Sequence, residues 1–163
     1  MAHLAAIWQF TRDRVRHAYN GLTDEQLAWR CPETGASIAR LLYHVAGSEH
    51  YWGTRLAGRN PDEPGFDARL DSFALPKFLE DPDAISEEEL TRDSVEQALA
   101  RTYELFSAVV ATPPNARERV TVPTPEGEVV NAREGLVRVA QGTALHAGKI
   151  WSLRSHPEFP KAA

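Results

Sequence analysis

His44 and His146 are the residues of this chain whose type and setting best suit joint chemistry. Each lies on the apolar stripe of an amphipathic segment: Ser37-Ile-Ala-Arg-Leu-Leu-Tyr-His44-Val-Ala-Gly-Ser-Glu-His-Tyr-Trp52, and Val139-Ala-Gln-Gly-Thr-Ala-Leu-His146-Ala-Gly-Lys-Ile-Trp151. Two neutral imidazoles on adjacent helices chelate a divalent ion at about 2.0–2.1 Å per bond, with the ligating nitrogens roughly 3–3.5 Å apart. A catalytic centre commonly adds a third protein ligand and a water. One helical turn before His146, where a third inward histidine would stack on the same face, the chain has Gly142. Lys149 adds a cation within a turn of the pair, which opposes a divalent ion unless the side chain points outward. The competing reading makes both residues partly buried histidines, hydrogen-bonded to a carbonyl or side chain, in a pocket that holds no metal.

Other candidates are weaker. Glu49 lies five residues beyond His44, rotated by about 140° around a helix, so it reads as a polar partner of another helix or loop. By the same geometry His50 points away from His44 and is expected at the surface. Cys31, between Arg30 and Pro32, is read as packing or an exposed loop residue more readily than as a nucleophile. His3, His17 and His156 lack partners at useful spacing and are expected at the surface. Trp8, Trp29, Trp52 and Trp151 are expected in the core or at a dimer contact. There is no glycine-rich phosphate loop and no Gly-x-Ser-x-Gly elbow.

The elements that must position the pair follow from apolar spacing. Leu4, Ile7, Trp8, Phe10, Val15 and Ala18 predict a first long helix over 3–19, closed by Gly21. Thr23 to Gln26 has capping-box form and starts a short turn of helix. Ser37 caps a second long helix with Ile38, Leu41, Leu42, Val45, Trp52 and Leu56 on its stripe, stopped by Gly58. From Arg59 to Pro82 the prolines and Gly65 predict a long connection with one short helix near 73–79. Ser86 and Glu89 form another capping box. Val95, Leu99, Tyr103, Phe106 and Val109 or Val110 mark a third long helix from Ser94, which Pro113-Pro114 ends. Segments 119–122 and 128–130 flank a proline-rich turn and predict a small β-hairpin. Asn131 and Glu134 cap a fourth helix running to about Arg154, apolar over more than half its circumference and expected to be the most buried. The fold class is all-α: a four-helix bundle of up-down-down-up type, with a long connection between helices two and three.

The run Leu22-Thr-Asp-Glu-Gln-Leu-Ala-Trp29, then Ser37-Ile, His44-Val, Glu49 and Trp52, then His146-Ala-Gly148 and Arg154, resembles the DinB/YfiT-like superfamily along nearly the whole chain. That resemblance implies a bundle, often dimeric, holding a divalent metal through three histidines, one on helix two and two at i, i+4 on helix four. It also implies thiol-dependent S-transferases and isomerases working with low-molecular-weight thiols such as mycothiol or bacillithiol, or metal-dependent hydrolases. His44 matches the helix-two ligand and His146 the second ligand of the helix-four pair. Gly142 stands where the remaining ligand is expected, and Lys149 where the family usually has glutamine. The cofactor implied is zinc, nickel or manganese, and the partners are a small-molecule substrate and a second copy of the chain.

With 163 residues, 42% hydrophobic and 25% charged, the chain fits one domain over 1–163. A single cysteine excludes an internal disulfide and, without a signal peptide, points to the cytoplasm. A net charge of −5 without a Lys/Arg cluster argues against nucleic acid. No apolar run approaches the roughly 20 residues of a membrane span. Two functions remain: a metal-dependent transferase or hydrolase with an incomplete histidine set, or a metal-free ligand-binding or dimeric interaction module. Catalytic and substrate-binding residues are not assigned by the sequence.

Overall fold

Capping side chains set where the helices begin. The computed structural model describes residues 2–59, 61–64, 66–81, 83–111, 121–124 and 127–161. These are mostly helical: α1 (Ala2–Tyr19), α2 (Asp24–Ala28), α3 (Ile38–Leu56), α4 (Ala68–Ser72), α5 (Pro76–Glu80), a 3-10 turn (Glu87–Glu89), α6 (Arg92–Val110) and α7 (Ala132–Arg154). Thr23 with Gln26, and Asn131 with Glu134, form reciprocal capping boxes on α2 and α7, and Ser37 accepts from the Arg40 N–H at the start of α3. α6 begins at Arg92 rather than Ser94, because Thr91 caps it by accepting from the Ser94 N–H. The Ser86–Glu89 box caps the 3-10 turn.

The hairpin is present as β1 (Thr121–Pro123) paired antiparallel with β2 (Val129–Asn131), in the register Val122 opposite Val130. Arg119, Val120, Pro125, Pro113, Pro114, Pro82 and Gly65, on which parts of the expected hairpin, helix stop and loop rest, lie outside the described residues. The connection after α3 holds two short helices where one was expected. Asp67 caps α4 through the Leu70 N–H, Pro76 opens α5, and Leu70, Phe73 and Phe78 are buried against α3.

The core has two clusters. One gathers Val15, Leu27, Ile38, Leu42, Val45, Val95, Leu99 and Ile150; the other gathers Trp8, Trp52, Phe106, Leu136 and Val139. Glu49 of α3 meets Thr102 of α6, and Trp8 of α1 meets Phe106 of α6. α3, not α7, is the most buried long helix: all but His44, Ser48 and Arg55 of its residues are buried, whereas Ala144, Leu145, Lys149 and Trp151 of α7 are exposed. The reason is position, since α3 packs against α4, α5, α6 and α7 together, while α7 keeps an open side. Tyr103, expected on the buried stripe of α6, is exposed and stacks on Trp8 with ring centres 5.5 Å apart. No described helix is long and apolar enough to cross a membrane.

Candidate metal and thiol site

The structure brings His44 and His146 together, ring centres 4.8 Å apart and nearly perpendicular. His44 is set by its neighbour across the α3–α4 packing: its Nδ1 lies 2.6 Å from the Phe73 carbonyl oxygen. A carbonyl only accepts, so Nδ1 carries the proton, and a neutral ring then keeps its lone pair on Nε2. This is how metal-ligating histidines are commonly oriented. Phe73 can come so close because residue 47 is glycine: a Cβ there would sit 2.7 Å from the Phe73 and Ala74 backbone.

His146 is only 5% exposed, and its Nδ1 is buried with no hydrogen-bond partner among the described residues. Burial, then the nearby His44 ring and Lys149, push its pKa down to about 3, so the imidazole is neutral at physiological pH. A neutral ring with a stranded nitrogen is a competent ligand, and leaving that atom unsatisfied costs about 1–3 kcal/mol. Gly142 adds nothing to the pair, and a Cβ built there would meet no atom within 4 Å. Lys149 is exposed. The arrangement thus offers two imidazoles and open space at the third position, a set that suits a divalent ion completed by water or substrate.

A cavity of about 280 Å³ opens one helical turn from the pair, lined among others by Thr34, Ser37, Arg40, Lys149 and Ser152. Arg40, which sequence reasoning passed over, is buried; its guanidinium donates to the carbonyls of Phe78, at 2.7 Å, and Asp81.

Residues 3–157 match the family model described as Mycothiol-S-transferase. The chain belongs to the mycothiol S-transferase family. No curated protein compared with it matches. As a member of that family, the protein has a thiol-type small molecule as its implied substrate.

The remaining sequence candidates fall differently. Glu49 is fully buried away from the pair: Trp8 Nε1 and Thr102 Oγ1 each donate to it at 2.9 Å, and Arg12 Nε stands 2.8 Å away as an ion partner. Burial raises its pKa, and Arg12, Trp8 and Thr102 pull it back. His50 is buried, not at the surface. The Asp67 N–H donates to its Nε2 at 3.3 Å and its Nδ1 faces Asp71 at 3.4 Å, because the chain after α3 folds back over it. His3 and His17 are exposed as expected. His156 does have partners: it packs on Trp29 and reaches Glu33, whose carboxylate also accepts from the buried Cys31 thiol. Trp8 and Trp52 are core residues, and Trp151 is 36% exposed, against His17 and Arg154.

Proposed function

We propose that this mycothiol S-transferase family member transfers a low-molecular-weight thiol to an electrophilic substrate in the pocket beside His44 and His146, with a divalent metal held by these two imidazoles. The observation that carries the reading is the complementary state of the two rings. One is turned by the Phe73 carbonyl to present Nε2, and the other is neutral with a buried, partnerless Nδ1. When bound, the ion lowers the pKa of a coordinated thiol so that thiolate is available near neutral pH. The chain's own residues do the rest. The Phe73 carbonyl holds the His44 proton at Nδ1, the buried α3–α7 seam excludes water from one side of the pair, and the cavity presents a mainly apolar wall, with Ala36, Leu41, Leu79 and Leu153, on which Arg40 and Lys149 are the charged residues. That wall suits the apolar body of an electrophilic substrate, with Lys149 as a cation beside it.

Within this reading the four long helices form an up-down-down-up bundle. Contacts run with increasing number between α3 and α6 (Glu49 to Thr102, Gly53 to Phe106) and in opposite senses between α3 and α7 (His44 to His146, Trp52 to Gly135). A dimer through the open side of α1 and α7 belongs to the same proposal, since Ile7, Phe10, Leu145 and Trp151 leave apolar area exposed there.

The test is metal analysis of protein purified without a histidine tag, alongside thiol consumption with a chlorinated electrophile. Stoichiometric zinc, nickel or manganese that falls in His44→Ala and His146→Ala, together with activity, is expected. Sub-stoichiometric metal unaffected by His44→Ala sinks the reading. The open space at Gly142 favours one alternative, a metal-free ligand-binding module, and that outcome would select it.

A further inference from the structure

On the loop between α2 and α3 and the segment after α7, three side chains of different ligand chemistry converge. The sulfur of Cys31, a carboxylate oxygen of Glu33 and a ring nitrogen of His156 lie within 4.8 Å of one another. The loop is fixed by backbone bonds, Cys31 N–H to the Ala36 carbonyl at 2.9 Å and Gly35 N–H to the Cys31 carbonyl at 2.7 Å. His156 packs on Trp29, ring centres 5.3 Å apart, and opens a turn closed by the Phe159 N–H on its carbonyl, with the Phe159 ring packed edge-on against Trp29 as well. Gln26 anchors the same tail by donating to the Pro160 carbonyl.

The protons in this cluster point one way. Cys31 S–H donates to Glu33 Oε2 at 3.0 Å, and His156 Nε2 lies 3.1 Å from the same oxygen. The Glu158 N–H donates to His156 Nδ1, so a neutral ring carries its proton on Nε2, aimed at Glu33. The thiol hydrogen bond, with His156 behind it, holds the Glu33 carboxyl below its ordinary range. One carboxylate therefore accepts hydrogen bonds from two good metal ligands.

We propose that Cys31, Glu33 and His156 form a second divalent-cation site, of zinc type, separate from the histidine pair. Thiolate, carboxylate and imidazole are the zinc ligand set, and two anions with one neutral ring balance a double positive charge. On loading, the Cys31 proton leaves to solvent, and the His156 proton moves from Nε2 to Nδ1, ending the exposed bond from Glu158. A water completes the shell. Occupancy would fasten the loop that supplies Thr34, Ala36 and Ser37 to the cavity wall onto the chain that follows α7.

The test is titration of reduced, metal-free, untagged full-length protein with cobalt(II), followed through the near-ultraviolet thiolate-to-cobalt charge-transfer band. The histidine pair contains no sulfur, so the band reports this site alone. A saturable band, displaced by zinc, is expected in the native protein and in His44→Ala and His146→Ala. It should vanish in Cys31→Ser and weaken in His156→Ala and Glu33→Gln by at least about tenfold, the loss caused even by groups that only orient ligands. Circular dichroism confirms that each variant folds. No band in the native protein, a band indifferent to His156→Ala and Glu33→Gln, or one lost with His44→Ala overturns the proposal and leaves the reading of the histidine pair standing.

Discussion

A histidine buried at the centre of a helix seam is a burden whenever it takes up a proton, and His146 turns that burden into a measurable property. Its pKa falls to about 3 in the folded chain, against about 6.5 when unfolded. Between these values the unfolded state binds the extra proton, so stability falls as pH falls through that window and is fully present above about 6.5. In metal-free protein each unit of pH below 6.5 should cost up to about 1.4 kcal/mol, read from urea unfolding at pH 7, 6 and 5. His146→Gln should flatten that slope, and equal slopes would refute the assignment. The second prediction at this scale concerns Gly142. With no atom within 4 Å of a Cβ built there, Gly142→His should fold normally and, four residues before His146, add a third imidazole to the same face. Isothermal titration with zinc should show affinity rising by about tenfold or more, the scale of loss seen when ligand geometry is disturbed. Unchanged affinity would mean that the pair is no metal pocket. Both histidines were legible in the sequence because helical period puts them on or at the edge of apolar stripes and the family resemblance matches both positions. The partners of Cys31 and His156 were not, since two loops far apart in number meet only in the fold.

Between elements, glycines set how closely helices approach, and this explains what positions His44. A Cβ on Gly47 would come 2.7 Å from backbone atoms of Phe73 and Ala74, and one on Gly135 would come 2.6 Å from the Trp52 ring. Both Gly47→Ala and Gly135→Ala should therefore destabilise by about 1–3 kcal/mol through overpacking, measured by denaturant unfolding. Only Gly47→Ala also displaces the Phe73 carbonyl that holds the His44 proton, so only it should weaken metal binding. Equal affinity in the two variants would contradict the orienting role of Phe73. The long helices and most of their limits could be read from local signals, because Thr23, Ser37 and Asn131 cap through their own side chains, and Gly21 and Gly58 adopt the positive φ that ends a helix. The connection after α3 could not. Its two short helices exist because Leu70, Phe73 and Phe78 are buried against α3, a tertiary cause that no local propensity encodes, and that same packing covers His50.

Across the whole molecule, one tie that joins three long helices is the buried carboxyl group of Glu49. It receives hydrogen bonds from Trp8 of α1 and Thr102 of α6 and faces Arg12 of α1, whose Nη2 also donates to the Leu99 carbonyl at 2.6 Å. Helical rotation in the sequence read Glu49 as a polar partner of another helix or loop and not of His44; that it closes a three-helix junction needed the packing of α1 and α6. Such a junction fixes how the helices sit more than it adds net stability, because two desolvated charges nearly offset their own attraction. Glu49→Leu alone strands the Arg12 guanidinium and should cost about 3–5 kcal/mol in denaturant unfolding. Combined with Arg12→Met, the loss should be clearly smaller than the sum of the single changes, since the uncompensated charge is gone. Additive losses would show that Arg12 and Glu49 do not depend on each other. The exposed side of α1 and α7 gives the test of the proposed dimer. Phe10 is 65% and Leu145 56% exposed, area that a second copy could cover. Sedimentation velocity should find a dimer that Phe10→Asp shifts to monomer while leaving the unfolding midpoint at low protein concentration nearly unchanged, because the side chain contributes little to the monomer core. A native monomer, or a dimer indifferent to Phe10→Asp, would place the contact elsewhere or remove it.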